Sequence, residues 1–140
     1  MTRNENRSMD QPELLHREIT DQILGGFFQV HRELGFGFSE SLYGPAMECV
    51  LTDLGLRAER EMPIAVYFRG KQIGAFRADM VVEAAVLLEF KAMRRPDPAF
   101  EAQVLSYLRA TRLEVGLLLL FNPKPLFKRL VFANSRKFLP

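Results

Sequence analysis

Apolar residues recur at helical spacing over residues 12–34, at Leu15, Ile19, Ile23, Phe27, Val30 and Leu34, and predict an amphipathic helix. Gly35 ends that helix and Gly37 extends the turn. Gly25 and Gly26 inside it cost stability relative to Ala, so the pair suits a place where another backbone comes close. Ser39 stands where it can cap a second helix, whose apolar side carries Leu42, Ala46, Met47, Val50, Leu51 and Leu54 before Gly55 closes it. The period then changes from 3.6 to two. Residues 62–68 read as a strand, 69–71 as a turn around Gly70, 72–82 as a longer strand and 86–91 as a third. Asp97 followed by Pro98 marks a helix start, with Asp as the cap and Pro at the first helical position, and the helix runs to about Thr111. Residues 115–121 are almost continuously apolar, as in a strand buried on both faces. Pro123 and Pro125 break the chain, and 127–132 form a last strand at an edge. The order αα-βββ-α-ββ predicts an α/β fold, a mixed β-sheet flanked by α-helices.

Composition narrows this picture. At 140 residues the chain fits one domain, over residues 12–140, behind a polar stretch at 1–11 that reads as a short flexible tail. That stretch lacks the apolar segment of a signal peptide, and no apolar run of 18 residues is present to span a membrane. The single cysteine, Cys49, has no internal disulfide partner, which fits a reducing compartment such as the cytoplasm. Its place in a helical apolar pattern predicts plain packing. A net charge of +2 does not identify a nucleic-acid partner. Basic residues do gather, with Arg94 and Arg95 after Lys91, Arg109 and Arg112 near a helix end, and Lys124, Lys128, Arg129, Arg136 and Lys137 toward the C-terminus. A solvated basic face accounts for them equally well.

Candidate chemistry sits on the second and third strands. Side chains alternate along a strand, so Arg77, Asp79 and Val81 are expected on one face, as are Leu87, Glu89 and Lys91. Glu89 and Lys91 then lie about 7 Å apart and point the same way. A tight turn near residues 83–85 makes the two strands antiparallel, and pairing around Ala84 sets Asp79 opposite Glu89. Partly buried charges are costly unless paired or bound to metal. Two hard oxygen ligands suit Mg²⁺, which binds through one or two carboxylates plus waters and substrate phosphates. Lys91 is then placed to orient a water or to stabilise developing negative charge. Arg77 suits a phosphate contact or a salt bridge to Asp79 or Glu89. The spacing alone fits a structural Asp79–Lys91 or Glu89–Lys91 salt bridge as well. His16 and His31 lie apart from the acids on the first helix and read as structural or solvated, and Tyr43 as a packing aromatic. G-x-x-x-x-G-K-[ST], C-x-x-C, H-E-x-x-H and G-x-S-x-G are all absent, which removes the P-loop, zinc-site and serine-nucleophile readings.

The segment Gly37-Phe38-Ser39-Glu40-Ser41-Leu42-Tyr43 resembles the signature of the GxxExxY protein family. Its context agrees, in Val30-His31-Arg32-Glu33-Leu34-Gly35, Phe76-Arg77-Ala78-Asp79, Leu88-Glu89-Phe90-Lys91-Ala92 and the Ala102-to-Leu108 segment. The resemblance covers about residues 14–131. That family is assigned to the PD-(D/E)XK nuclease superfamily, which implies a restriction-endonuclease-like core. The step from Gln103 to Tyr107 resembles the Q-x-x-x-Y motif of RecB-type nucleases. The resemblance implies Asp79 and Glu89 as metal ligands and Lys91 as the catalytic lysine. It implies Glu40 as the first-helix acid that holds metal or its water, Gln103 beside the site, and Tyr107 one turn on as a support for substrate. The expectation is therefore a Mg²⁺- or Mn²⁺-dependent nuclease acting on nucleic acid, DNA before RNA. Two alternatives use the same fold: a non-catalytic nucleic-acid-binding or protein-interaction module, and a dimeric structure-specific endonuclease. The first fits the intact acid–acid–lysine set less well, because paired carboxylates without metal repel a phosphate backbone. A homodimer or protein partner is expected from the small size and from Phe27-Phe28, read as exposed.

Overall fold

The computed structural model of the chain describes residues 15–93 and 95–139. In chain order these form α1 (Arg17–Leu34), α2 (Glu40–Asp53), β1 (Ala58–Phe68), β2 (Lys71–Val82), β3 (Val86–Lys91), α3 (Pro98–Ala110), β4 (Val115–Leu120) and β5 (Leu126–Val131), then a 3-10 turn at Asn134–Arg136. The order is the one predicted. The tail expected over 1–11 and the helix start expected at Pro12 lie outside the described residues.

The strands make one sheet in the order β1-β2-β3-β4-β5, with β3–β4 parallel and the other pairs antiparallel. Helices α1 and α2 cover one face, where Ile23, Phe27, Tyr43, Met47 and Leu51 meet Met80, Val82, Val86, Leu88 and Phe90. Helix α3 covers the other, where Val104, Tyr107 and Leu108 meet Val81, Leu87 and Leu118. β4 is buried along its whole length. A Cβ on its Gly116 would stand 2.6 Å from Val104 Cγ1, so the glycine lets α3 settle on the strand. Asp97 caps α3 by accepting from the Ala99 amide at 2.9 Å, ahead of Pro98 at the helix start.

Several local expectations change. α2 buries Tyr43, Met47 and Leu51, an i, i+4, i+8 row. Leu42 and Leu54 fall off that row and are exposed, and so is Cys49, which was expected to pack. Ser39 occupies the N-cap position of α2, but its hydroxyl meets Ser41 Oγ at 3.0 Å instead of an amide. Gly26 faces α2, where a Cβ would come within 3.1 Å of Val50 and 3.2 Å of Leu51. Gly26 therefore admits side chains of α2 rather than a backbone, and Gly25 faces open space. Phe27 is buried in the core, and only Phe28 of the expected exposed pair reaches solvent. β1 starts at Ala58, earlier than its alternation implied, because an edge strand tolerates Glu59, Arg60, Glu61 and Pro63.

Two backbone features position the site. Glu83 (φ 53°) and Ala84 (φ 51°) are both left-handed and open the three-residue turn 83–85 between β2 and β3, closed by the Ala85 amide on Val82 O at 3.0 Å. Neither is a glycine. Glu83 is held in place by Arg57, whose amide donates to its carboxylate at 2.8 Å and whose carbonyl accepts its amide at 2.8 Å. Further out, Glu61 on β1 is also left-handed (φ 54°). Ala58 packs toward α1 and α2, whereas Met62 and Ile64 pack toward α3. On β2 the same change separates Met80 from Ala78. The hairpin thus reverses its faces at the level of Glu61 and Asp79, and the single face expected for Arg77, Asp79 and Val81 does not hold through that point.

Candidate active site

The turn at Glu83-Ala84 sets the register Val82↔Val86, Val81↔Leu87 and Met80↔Leu88, and the β2–β3 ladder stops there. The next pair in that register is Asp79 opposite Glu89, as the spacing predicts. Side chains now take over from the main chain. The Asp79 amide donates to Glu89 Oε2 at 2.6 Å, and the Phe90 amide donates to Asp79 Oδ2 at 2.7 Å. Each carboxylate reaches across to the other strand, and the two together hold the strand ends where rungs would otherwise continue. β3 itself stays in register with β4 through Lys91↔Leu120, so β2 is the strand that departs.

The electrostatics of the pair are unfavourable. Glu89 is only 2% exposed. Burial pushes its carboxyl up to about 8, and the Asp79 charge adds to that, while the Asp79 amide and Lys91 oppose it. Burial also raises Asp79, against the Phe90 amide and Lys91, with Glu61 adding to the rise. The ion pairs among the described residues do not include Lys91, so neither structural salt bridge weighed above is formed. The Lys91 ammonium lies 5.0 Å from the centre of the Phe100 ring. One oxygen of each acid takes a main-chain amide, and an ionised carboxylate has about four lone-pair sites, so capacity for a further ligand remains.

The other candidate residues gather around this pair. Glu40 opens α2 and its carboxylate accepts the Ala92 amide at 3.4 Å, just beyond β3. Its charge adds to the rise of Glu89. A cleft of about 370 Å³ opens between α2 and the sheet, lined by Glu40, Gly44, Arg60, Glu61, Asp79 and Phe90. On the α3 side, Gln103 Nε2 donates to the Tyr107 hydroxyl at 3.1 Å. Burial and then the Glu89 charge raise the Tyr107 hydroxyl, against the Gln103 hydrogen bond, and Asp79 adds to the rise. Arg77 is exposed and pairs with Glu61 at 3.8 Å instead of with Asp79 or Glu89. His31 lies away from the acids, with Nε2 2.7 Å from Asn122 O, and His16 precedes α1. Tyr43 stacks on Phe121 with ring centres 4.0 Å apart and donates to Gly35 O at 2.7 Å, so this signature residue packs.

Glu61 is the residue that sequence reasoning missed. It lines the cleft, raises Asp79 and holds Arg77. Its left-handed backbone has no sequence signal, since Glu is not a residue that favours φ > 0. The one available clue was a charge just before Met62-Pro63 at the rim of a strand.

A family model for the PD-(D/E)XK nuclease superfamily matches residues 17–130, a span that contains Glu40, Asp79, Glu89, Lys91, Gln103 and Tyr107. The chain belongs to the PD-(D/E)XK nuclease superfamily. Among solved structures, the crystal structure of SSO0001 is similar in fold, with a TM-score of 0.53 and 21% identity over 67% of this chain. The chain spans 50% of the length of that protein. Both agree with a restriction-endonuclease-like sheet flanked by helices. No curated protein matches the chain in sequence. No helix among the described residues of this superfamily member is long and apolar enough to cross a membrane.

Proposed function

We propose that this superfamily member is a Mg²⁺- or Mn²⁺-dependent nuclease that hydrolyses phosphodiester bonds of nucleic acid, with DNA as the leading substrate. The observation that supports it is the pair Asp79 and Glu89, a half-buried acid and a buried one laced across an opened ladder with no cation in contact among the described side chains. Buried like charges are costly, and a bound divalent ion would relieve them. The donor set fits such an ion in kind, since carboxylate oxygens suit Mg²⁺ and Mn²⁺. Among the described residues no three His, Cys, Asp or Glu side chains form a ready cage. That agrees with Mg²⁺, which takes one or two protein carboxylates and completes its shell with waters and substrate phosphates. Asp79 and Glu89 would hold the ion, with Glu40 at the rim of the cleft to hold a bound water. When bound, a divalent ion polarises a phosphoryl oxygen and lowers the pKa of a water.

The remaining roles fall to the chain itself. Lys91 shares the α3 side of β3 with Glu89 and makes no ion pair among the described residues, so its ammonium can donate to the attacking water or to the phosphate charge that grows in the transition state. Gln103 holds the Tyr107 hydroxyl at 3.1 Å and would order the substrate side of the acids. Arg77, tethered by Glu61 at the cleft, suits a backbone phosphate. The signature around Glu40 and Tyr43 further supports a place in the GxxExxY family. The test is incubation of the purified protein with end-labelled single- and double-stranded DNA and RNA, in Mg²⁺, Mn²⁺ or chelator. Metal-dependent cleavage that is lost in Glu89→Gln is expected. No cleavage of any substrate with either metal would overturn the proposal.

A further inference from the structure

We infer that the groove between the β1–β2 hairpin and α3 is a track for unpaired bases of the substrate, leading to the acids; this rests on the nuclease reading above. The hairpin from residue 62 to residue 78 contains no Asp or Glu and carries Arg69, Lys71 and Arg77. It also exposes aromatic rings at 47% for Tyr67, 60% for Phe68 and 50% for Phe76. Rings this open are unfavourable in water unless something covers them.

They line one continuous groove. A cleft of about 310 Å³ is bounded by Val66, Tyr67, Phe76 and Arg109, and one of about 480 Å³ by Tyr67, Phe68 and Arg69. Tyr67, Phe138 and Leu139 belong to both, so the two clefts join. Among the described residues neither is lined by an acid. The outer end carries Phe68 with the Arg69 guanidinium 5.3 Å from its centre. At the inner end the Phe76 ring lies 5.4 Å from the ring of Tyr107, which packs in one cluster with Ala78, the neighbour of Asp79. Arg69 and Arg109 therefore stand among the rings of the groove.

That chemistry selects a single strand. Aromatic rings stack on bases whose faces are open, with little regard to sequence, while guanidinium groups follow the phosphates. In a duplex the base faces are covered by their neighbours, and the rings have nothing to stack on. The left-handed Glu61 explains the placement, because the reversal of faces there turns Phe76 and Val66 toward α3 and makes the hairpin one wall of the groove.

The test is fluorescence anisotropy in chelator, where binding is read without cleavage. The probes are a labelled oligothymidylate, a duplex and an abasic strand, all of the same length. Wild type is expected to bind oligothymidylate more tightly than either other probe. Tyr67→Ala and Phe68→Ala should each weaken that binding by about fivefold or more and leave the abasic strand unaffected. Phe28→Ala, an exposed ring on α1, serves as the control and should bind as wild type. Melting temperatures of the variants exclude unfolding as the cause. Equal affinity for duplex and single strand, ring variants that bind as wild type, or a change of oligomeric mass in Tyr67→Ala would each overturn the groove. Cleavage is measured separately with Mg²⁺. Ring-dependent binding without cleavage keeps the groove and removes the nuclease reading, and cleavage without ring-dependent binding does the reverse.

Discussion

The two ends of β3 lie only a few residues apart and obey opposite rules. At the inner end, Val86, Leu87 and Leu88 are fully buried, pair with β2 in regular register and contact apolar neighbours on both faces. At the outer end, Glu89 is as buried as they are, yet it is charged chemistry in a desolvated place, and the ladder beside it has given way to carboxylate–amide contacts. The inner end contributes stability through area removed from water. The outer end costs stability, because burial and a neighbouring acid both disfavour the ionised Glu89. A fold that keeps such a pair next to an apolar ladder uses the ladder to hold it. Stability and proposed activity are thus separable along one strand.

Substitutions at the two ends should separate them in practice. Lys91→Ala is expected to slow metal-dependent cleavage by about 10²–10³, the usual cost of one lost transition-state donor, with little change in melting temperature. Leu88→Ala should do the converse. It should lower stability by roughly 2–5 kcal/mol in denaturant titration, while the protein that remains folded keeps its cleavage rate. A Lys91→Ala that melts early and cuts normally would reverse the comparison.

Next in size is the pH dependence of the outer end. Glu89 titrates at about 8 in the folded chain against an ordinary 4.5. The folded protein therefore keeps a proton that the unfolded chain releases, and this contribution to stability is fully present below 4.5 and lost as pH rises through 8. Asp79 is raised too and acts in the same direction. Metal-free wild type should lose a few kcal/mol at most between those limits. Glu89→Gln keeps a group that can accept the Asp79 amide and cannot ionise, so it should be the more stable protein at pH 8 and should match wild type near pH 4.5. Thermal melts across that range in chelator check this, and a wild type that gains stability toward pH 8 would contradict it.

The smallest effect concerns the exposed Arg77–Glu61 pair. Glu61→Gln should change stability by under about 1 kcal/mol, as for other solvated ion pairs. It should weaken nucleic-acid binding only through the looser placement of Arg77. A large loss of stability, measured by denaturant titration, would show that the carboxylate has a structural duty.

Much of this was legible in the sequence because it rests on periodicity. The element order, the antiparallel β2–β3 pair and the apposition of Asp79 and Glu89 follow from period-two alternation and a short turn. Asp97-Pro98 announced α3 through capping chemistry that depends on neighbouring residues alone. What escaped depends on three-dimensional context. The rotation of α2 is fixed by which row meets the sheet, so Leu42, Leu54 and Cys49 face solvent although their pattern allowed burial. The left-handed Glu61 reverses the faces of the hairpin, and that is why Arg77 meets Glu61 instead of the acid pair. The unpaired state of Lys91 among the described ion pairs was also open, since its spacing fitted a salt bridge equally well.

The most direct measurement is a calorimetric titration of wild type and Glu89→Gln with Mn²⁺ near pH 8, with circular dichroism to confirm that both are folded. On the proposed function, a divalent ion held by Asp79 and Glu89 would offset the charge of the buried Glu89 and its half-buried partner. Wild type should bind with modest affinity, raise its melting temperature as metal is added and release protons on binding, while Glu89→Gln should bind at least about tenfold more weakly. Superimposable titrations of the two proteins, or no binding by wild type, would contradict the metal site at Asp79 and Glu89.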